Sequence, residues 1–472
     1  MSKVNRIIYC LFIFFLPLTA MGQLYPYLKV WSQNASLIFL FAGIFTNFFM
    51  TRFIYKQKLK LNKLAKAFLI FVVTMYIATI FMSSYFYFFN IVKDFAIIKE
   101  AIFKLWTLML IFLSFYYPYS FINKKEDFIL TLRILYISLI FLIFYGYIQV
   151  YVLFNPESKC FAVYMALNKV FNYSWVEMVS NYNLVPQVIM LKRIILANQE
   201  PSLAAFVLQV LFFPFLLSAI INQNSLIKYK NLHFELMLLL LSLPLLIFTF
   251  STGGFVALAA QVGICVVLLV HIKKIQGKSY FYIPLIIIGV SLAIVIVIFS
   301  NREFYLNFEN AIKKIIMEGT GEGSAETRYG TIVAGIKEFL HYPFFGVGLG
   351  NSKYFLEKFL PEWSLNGELM SYIQTQFALN SKSQWIRLLA EVGIIGIMPL
   401  VYFIFILSKK YIKEFKNPAN SYRLFVSCSY IIFIVSIFVH WINVSAFFII
   451  FQWALFGLFV ADRDLEEYGE LF

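Results

Sequence analysis

Three arginines are the residues of this chain best suited to holding phosphate: Arg193, Arg302 and Arg328. A guanidinium is a permanent cation whose fork meets two phosphate oxygens at once. Arg193 lies in Lys192-Arg193-Ile194-Ile195-Leu196-Ala197-Asn198-Gln199-Glu200-Pro201-Ser202. Glu200 in that stretch offers a carboxylate able to orient or deprotonate a sugar hydroxyl. Further on come Lys382, Arg387 and Glu391, with Arg387 and Glu391 one helical turn apart and able to pair. Each has a plainer reading beside the chemical one. Arginine also snorkels or pairs at a membrane surface. Glu200-Pro201-Ser202 is also an ordinary helix start, with proline in the first turn and a carboxylate favoured by the helix dipole. Gly346-Val347-Gly348-Leu349-Gly350 is a weak phosphate-loop signal and reads equally as a tight turn after a helix.

Other chemistries lack their residues. There is no GxxxxGK[ST], no GxSxG elbow and no HExxH. Cys10, Cys160, Cys265 and Cys428 have no metal-ligand spacing and do not suggest a disulfide framework. Neither a cofactor nor a metal is called for.

The elements that must position these residues follow from composition. The chain has 472 residues, 61% hydrophobic and 13% charged. A soluble domain is about 25% charged. This much apolar surface needs the bilayer as solvent, and the apolar runs are continuous rather than alternating, so the fold class is all-α and polytopic. About twelve spans are expected, near 7–22, 34–51, 67–89, 101–121, 129–154, 201–221, 235–250, 254–271, 281–300, 385–407, 422–440 and 443–461. The first is read as a retained helix rather than a cleaved signal. The net charge of +15 lies mostly in short loops. That distribution reads as orientation by the positive-inside rule and attraction to anionic lipid, not as nucleic-acid binding.

Lysine-rich loops at every second connection place both termini in the cytoplasm, with the tail 462–472 a polar stub. The whole chain, 1–472, then reads as one membrane domain with two long outward loops, 155–199 and 301–384. Their aromatic residues allow them to fold back onto the membrane. In the second, between the ninth and tenth spans, Tyr329, Ile332, Val333, Ile336, Phe339 and Leu340 recur at helical spacing. This predicts an amphipathic helix over 329–340, capped by Ser324 or Thr327, on the bilayer or on the bundle.

These pieces resemble the O-antigen polymerase/O-antigen ligase superfamily, Wzy-like membrane glycosyltransferases of GT-C type. The resemblance rests on Arg193 before Glu200-Pro201-Ser202; on Glu326-Thr327-Arg328-Tyr329 followed by Pro343-Phe344-Phe345-Gly346-Val347-Gly348; and on Leu388-Leu389-Ala390-Glu391-Val392-Gly393-Ile394-Ile395-Gly396. It covers Arg193–Gly396. Ligases of the superfamily usually carry His-Asn some nine residues before the glutamate, where this chain has Lys382-Ser383. A lysine of ordinary pKa, about 10.4, holds an anion but is a poor base.

The resemblance therefore implies a polymerase of lipid-linked repeat units in a bacterial inner membrane. The donor would be a glycan on undecaprenyl pyrophosphate and the acceptor a second lipid-linked repeat. Arg193, Arg328 and Glu200 would be catalytic, and Lys382, Arg302 and Arg387 would bind substrate. A chain-length regulator is a possible partner, and the product could be lipopolysaccharide, capsule or exopolysaccharide. Two alternatives stay open: a ligase transferring glycan to lipid A core or protein, and a flippase or transporter. The few charges within the spans and the long outward loop favour surface chemistry over transport.

Overall fold

The computed structural model describes residues 3–19, 36–49, 61–171, 188, 193–198, 200–223, 228–229, 232–276, 324–365, 367, 369–370, 373, 379–445 and 447–462. Apolar runs become helices because only an internally hydrogen-bonded backbone survives in hydrocarbon. In chain order these are α1 (Lys3–Phe15), α2 (Ser36–Phe49), α3 (Lys63–Phe88), α4 (Ala96–Phe121), α5 (Lys125–Phe154) and α6 (Lys159–Phe171). Next is α7 (Pro201–Ile221), interrupted by a π-helical turn at Leu208–Phe212. An antiparallel hairpin of two-residue strands, β1 (Lys228–Tyr229) and β2 (Leu232–His233), leads into α8 (Phe234–Phe248) and α9 (Thr252–Gln276). The remaining helices are α10 (Ser324–His341), α11 (Gln384–Lys416), α12 (Ser421–Asn443) and α13 (Ile450–Asp462).

Among the described residues six helices are long and apolar enough to cross a membrane: α3, α5, α7, α9, α11 and α12. Three shorter apolar helices accompany them, in α2, α8 and α13. The expected ninth span and Arg302 lie outside the described residues. The bundle is organised around α7, whose apolar window is 100% buried, so it meets protein on every side. The core beside it is aromatic. Phe68 stacks on Phe115 at 4.2 Å and lies 5.7 Å from Trp453, joining α3, α4 and α13. Phe403 of α11 closes the group, 5.6 Å from Phe456. Offset and edge-on rings of this kind add to what their buried area contributes.

The site end of the bundle gathers the start of α4, α7, α9 and α11 with the end of α12. Ile194 N–H donates to Phe248 O at 3.1 Å, and Ser383 Oγ to Trp441 O at 3.1 Å. At this end α11 is broken: Gly393 has φ 65° and ψ −173° inside an otherwise helical run. The segment after α10 fills the break. Val347 N–H donates to Ala390 O at 2.9 Å and Gly348 N–H to Glu391 O at 2.7 Å. In return Ile394 N–H donates to Pro343 O at 2.9 Å and Ile395 N–H to Phe344 O at 3.0 Å. Two glycines make this joint possible. A Cβ on Gly346 would lie 2.4 Å from Glu391 C, and one on Gly393 would lie 2.3 Å from Phe344 O. The glycine-rich stretch is thus a turn whose Gly346 amide is spent on Tyr342 O and whose Val347 and Gly348 amides are spent on α11, not free for phosphate.

Three expectations change. The predicted amphipathic helix forms as α10, but large apolar side chains do not line its packed face. Thr327, Gly330, Thr331, Ala334, Gly335 and Glu338 are buried, while Tyr329, Ile336 and Leu340 are exposed. The reason is close approach: Gly330 lies against Ser364, and Gly335 against Ser381 and Ile386, where a larger residue would not fit. The last helix starts at Ile450, not 443. The linker before it is held by Trp453 Nε1 donating to Phe447 O at 2.9 Å. Asp462 does not open a polar stub. It is fully buried, paired to Arg423 Nη1 at 2.8 Å and accepting from Tyr422 Oη at 2.5 Å.

Gly393→Ala should destabilise the chain. Left-handed backbone costs a residue with a Cβ about 1–2 kcal/mol, and the contact with Phe344 adds to it. Thermal unfolding in detergent checks this: the midpoint falls well below that of Gly263→Ala, a position open enough to accept a methyl group.

Candidate active site

Arg193 is held by its own backbone neighbours. The stretch Ile194–Asn198 is buried, an extended approach to α7. Gln149 of α5 accepts from Ile195 N–H at 3.1 Å and Leu196 N–H at 2.9 Å, and donates to Leu196 O at 2.9 Å. Thr19 pins the other side, its N–H donating to Ala197 O at 3.0 Å and its hydroxyl to Asn198 Oδ1 at 2.7 Å. Arg193 projects from this anchored segment, half-buried.

Arg328 reaches the same place from α10. Its Nη1 donates to Asn443 O at 3.1 Å, at the C-terminus of α12. Burial depresses the basicity of Arg193, and the neighbouring charge of Arg328 depresses it further. Two guanidiniums from segments far apart in sequence therefore sit within electrostatic reach. Among the described residues neither forms an ion pair with a carboxylate. Lys382 is close by. Its backbone N–H donates to Thr331 Oγ1 at 3.4 Å, and that hydroxyl donates to Arg328 O at 3.0 Å. Glu200 is exposed at the start of α7, where its Oε1 accepts from Ser202 Oγ at 2.5 Å. It makes no ion pair with either arginine.

Arg387 stands apart from this group. Its Nε donates to Glu391 Oε1 at 3.1 Å, giving the pair expected from their spacing, and its Nη1 donates to Ser445 Oγ at 2.9 Å. Above this pair is Glu338 of α10. It is fully buried, and neither carboxyl oxygen makes a well-formed hydrogen bond among the described residues. Burial, and secondarily the charge of Glu391, push its pKa well above the usual carboxylate range, with only Ser352 acting the other way. Burial therefore disfavours the charged form of Glu338.

Sequence reasoning missed four polar residues inside apolar runs: Gln149, Gln209, Gln261 and His440. The last three form a buried network. His440 Nε2 lies 2.9 Å from Gln209 Oε1, and Gln261 Nε2 donates to Gln209 O at 2.8 Å. Gln209 belongs to the π-helical turn of α7, whose wider ring frees the carbonyl that Gln261 uses. A polar side chain in a membrane helix is itself the signal that could have found them. Among the described residues no three His, Cys, Asp or Glu side chains gather as metal ligands.

The joint of α11 with the Pro343–Gly348 segment unites two motifs that the sequence keeps apart, and both lie within the range of a family match. Residues 237–401 match the O-antigen ligase family model, Wzy_C. The match is consistent with the O-antigen polymerase/ligase superfamily and covers roughly a third of the 472 residues. It takes in Arg328, Lys382, Arg387 and Glu391, and leaves Arg193 and Glu200 outside. Members of that family are membrane glycosyltransferase-like enzymes. A search of curated proteins finds no match.

The protonation of Glu338 has a measurable sign. Its folded pKa is raised, so its contribution to stability is present below the ordinary carboxylate range and is lost as pH rises through the raised value. Glu338→Gln should flatten that decline. Unfolding midpoints recorded from pH 5 to 9 should converge with wild type at the acid end and exceed it at the alkaline end. Parallel curves would show that Glu338 ionises without cost.

Proposed function

We propose that this protein polymerises lipid-linked oligosaccharide repeats, moving a growing glycan from a polyprenyl pyrophosphate onto a second lipid-linked repeat. The observation that carries this reading is the pairing of Arg193 with Arg328. Two half-buried guanidiniums repel, and the described residues supply no carboxylate between them. An anion bound there offsets that repulsion, and a diphosphate matches two forks. The Lys382 backbone is held to Thr331, one helical turn from Arg328, so the residue is close enough to be a third cation for the same anion.

In the reaction, the bond between the sugar C1 and the pyrophosphate oxygen breaks as C1 bonds to an acceptor hydroxyl oxygen. The leaving pyrophosphate gains negative charge, which Arg193 and Arg328 stabilise in place. The acceptor hydroxyl loses its proton, and the exposed carboxylate of Glu200 is the group we assign to orient it and receive that proton. Undecaprenyl pyrophosphate at the outer face of an inner membrane is the donor this reading implies. The ligase reading has the description of the matching family in its favour. Against it stands Lys382-Ser383, in which Ser383 is buried with its hydroxyl committed to Trp441 O and Lys382 supplies a cation rather than an imidazole.

Replacing Arg193 or Arg328 with alanine tests the assignment. Removing one such charge-stabilising donor typically costs about 10²–10³ in rate. Surface polysaccharide resolved by length should collapse from a ladder to single capped repeats, with protein levels unchanged. A persistent ladder in both variants would remove these arginines from the site. Loss of even single repeats on deletion of the whole gene would replace the polymerase with a flippase or ligase.

A further inference from the structure

Lys104 is a cation whose one contact partner among the described residues is an aromatic ring. It lies in the first third of α4, and among the described residues its Nζ has no hydrogen bond or ion pair. The chain has made room for it. A Cβ on Gly350 would lie 2.6 Å from Lys104 Cε and 2.7 Å from its Nζ. The ammonium lies 5.6 Å from the centre of the Phe448 ring, and the Arg387 guanidinium lies 5.1 Å from the same ring. Two cations thus share one aromatic side chain. Lys353 stands at the rim, paired to Glu100 Oε1 at 2.6 Å. Burial acts to lower the Lys353 ammonium, but the hydrogen bond and charge of Glu100 outweigh it and hold it up.

The local charges do not cancel. Lys104, Arg387 and Lys353 face Glu391 and Glu100, which leaves one positive charge. Glu338 is fully buried, and burial and the charge of Glu391 disfavour its ionisation. An ionisable residue this deep in an apolar helix is expensive unless it has work to do. The surroundings also suggest what kind of anion would come. Phe103 and Leu105, next to Lys104 on either side along α4, are both exposed, so apolar surface borders the cation. A hydrocarbon chain can lie along that surface with its charged head at Lys104.

The position relative to the first arginine pair is set by the turn between α12 and α13. Arg328 binds Asn443 O and Arg387 binds Ser445 Oγ, two residues apart. Two residues of extended chain span at most about 7 Å. One arginine of each cationic group is therefore anchored to the same linker.

We propose that Lys104 and Arg387, with Lys353 at the rim, form a second anion site that takes the diphosphate of the acceptor lipid, while Arg193 and Arg328 take that of the donor. This rests on the polymerase reading above and adds to it a place for the second substrate. A ligase with a non-diphosphate acceptor has no use for such a site.

The test counts ligands. Full-length protein in discs of neutral lipid is titrated with farnesyl pyrophosphate, and two molecules should bind per chain. Lys104→Gln should bind one, Arg193→Gln with Arg328→Gln should bind the other, and Lys104→Arg should restore two. Inorganic pyrophosphate should bind the Lys104 site at least tenfold more weakly, and an anionic phospholipid should not displace the prenyl ligand. Equal binding of inorganic pyrophosphate would make it a site for free diphosphate, and displacement by phospholipid would make it a general lipid-headgroup site; either overturns the proposal. In turnover, Lys104→Gln should raise the KM for the acceptor about tenfold and leave that for the donor unchanged. Wild-type stoichiometry and KM in that variant, with polymerisation intact, overturn the second site alone. Absence of polymerisation by the wild type, with two-site binding still lost on Lys104→Gln, overturns the reaction and leaves the site.

Discussion

The site end of this protein depends on one backbone joint. In α11 the helix stops at Val392-Gly393, and Pro343–Gly348 enters the gap with four main-chain hydrogen bonds. Freed carbonyls and amides in a membrane protein must find partners, because no water stands by to satisfy them. Here each half of the joint satisfies the other. The joint ties α10 to α11, and through them ties Arg328 and Lys382 to Arg387 and Glu391. It also explains why the two glycine motifs are spaced as they are: each supplies the left-handed, side-chain-free position that the other's backbone needs.

A second constraint is electrostatic. Charges at this end are not spread evenly but sorted. Arg193 feels the charge of Arg328, and among the described residues neither is paired with a carboxylate, whereas Arg387 and Glu391 pair and burial disfavours the charged form of Glu338. Burial drives this sorting, since a carboxylate that can neither pair nor reach water takes up a proton. The result favours excess positive charge at this end of the bundle.

Much of this could be read along the chain. Arg193, Arg328, Lys382 and Glu200 stand out because each is polar beside an apolar run, and the pairing of Arg387 with Glu391 follows from their helical spacing. The helix over Ser324–His341 was legible too, but not which of its faces would pack. Periodicity favours the face of Tyr329, Ile336 and Leu340, and the small residues Gly330 and Gly335 won because contact distance, not hydropathy, decides where two backbones meet. The role of Gln149 was hidden for a related reason. A glutamine within a span announces that something polar faces it, but not that this is the segment carrying Arg193.

The sequence by itself determined the solvent, the class and the chemistry available. A chain 61% hydrophobic and rich in continuous apolar runs must form helices in a bilayer, and its arginines and lysines are residue types able to bind phosphate. Hydropathy sums locally, so it can be read from neighbours in the chain. Only the tertiary structure decided that Arg193 meets Arg328, that Arg387 belongs with Lys104 and Phe448, that Asp462 is buried against Arg423, and that α11 breaks at Gly393. Those outcomes depend on distances between residues scores or hundreds of positions apart, and on burial that converts proximity into a shifted charge. No local pattern carries that information.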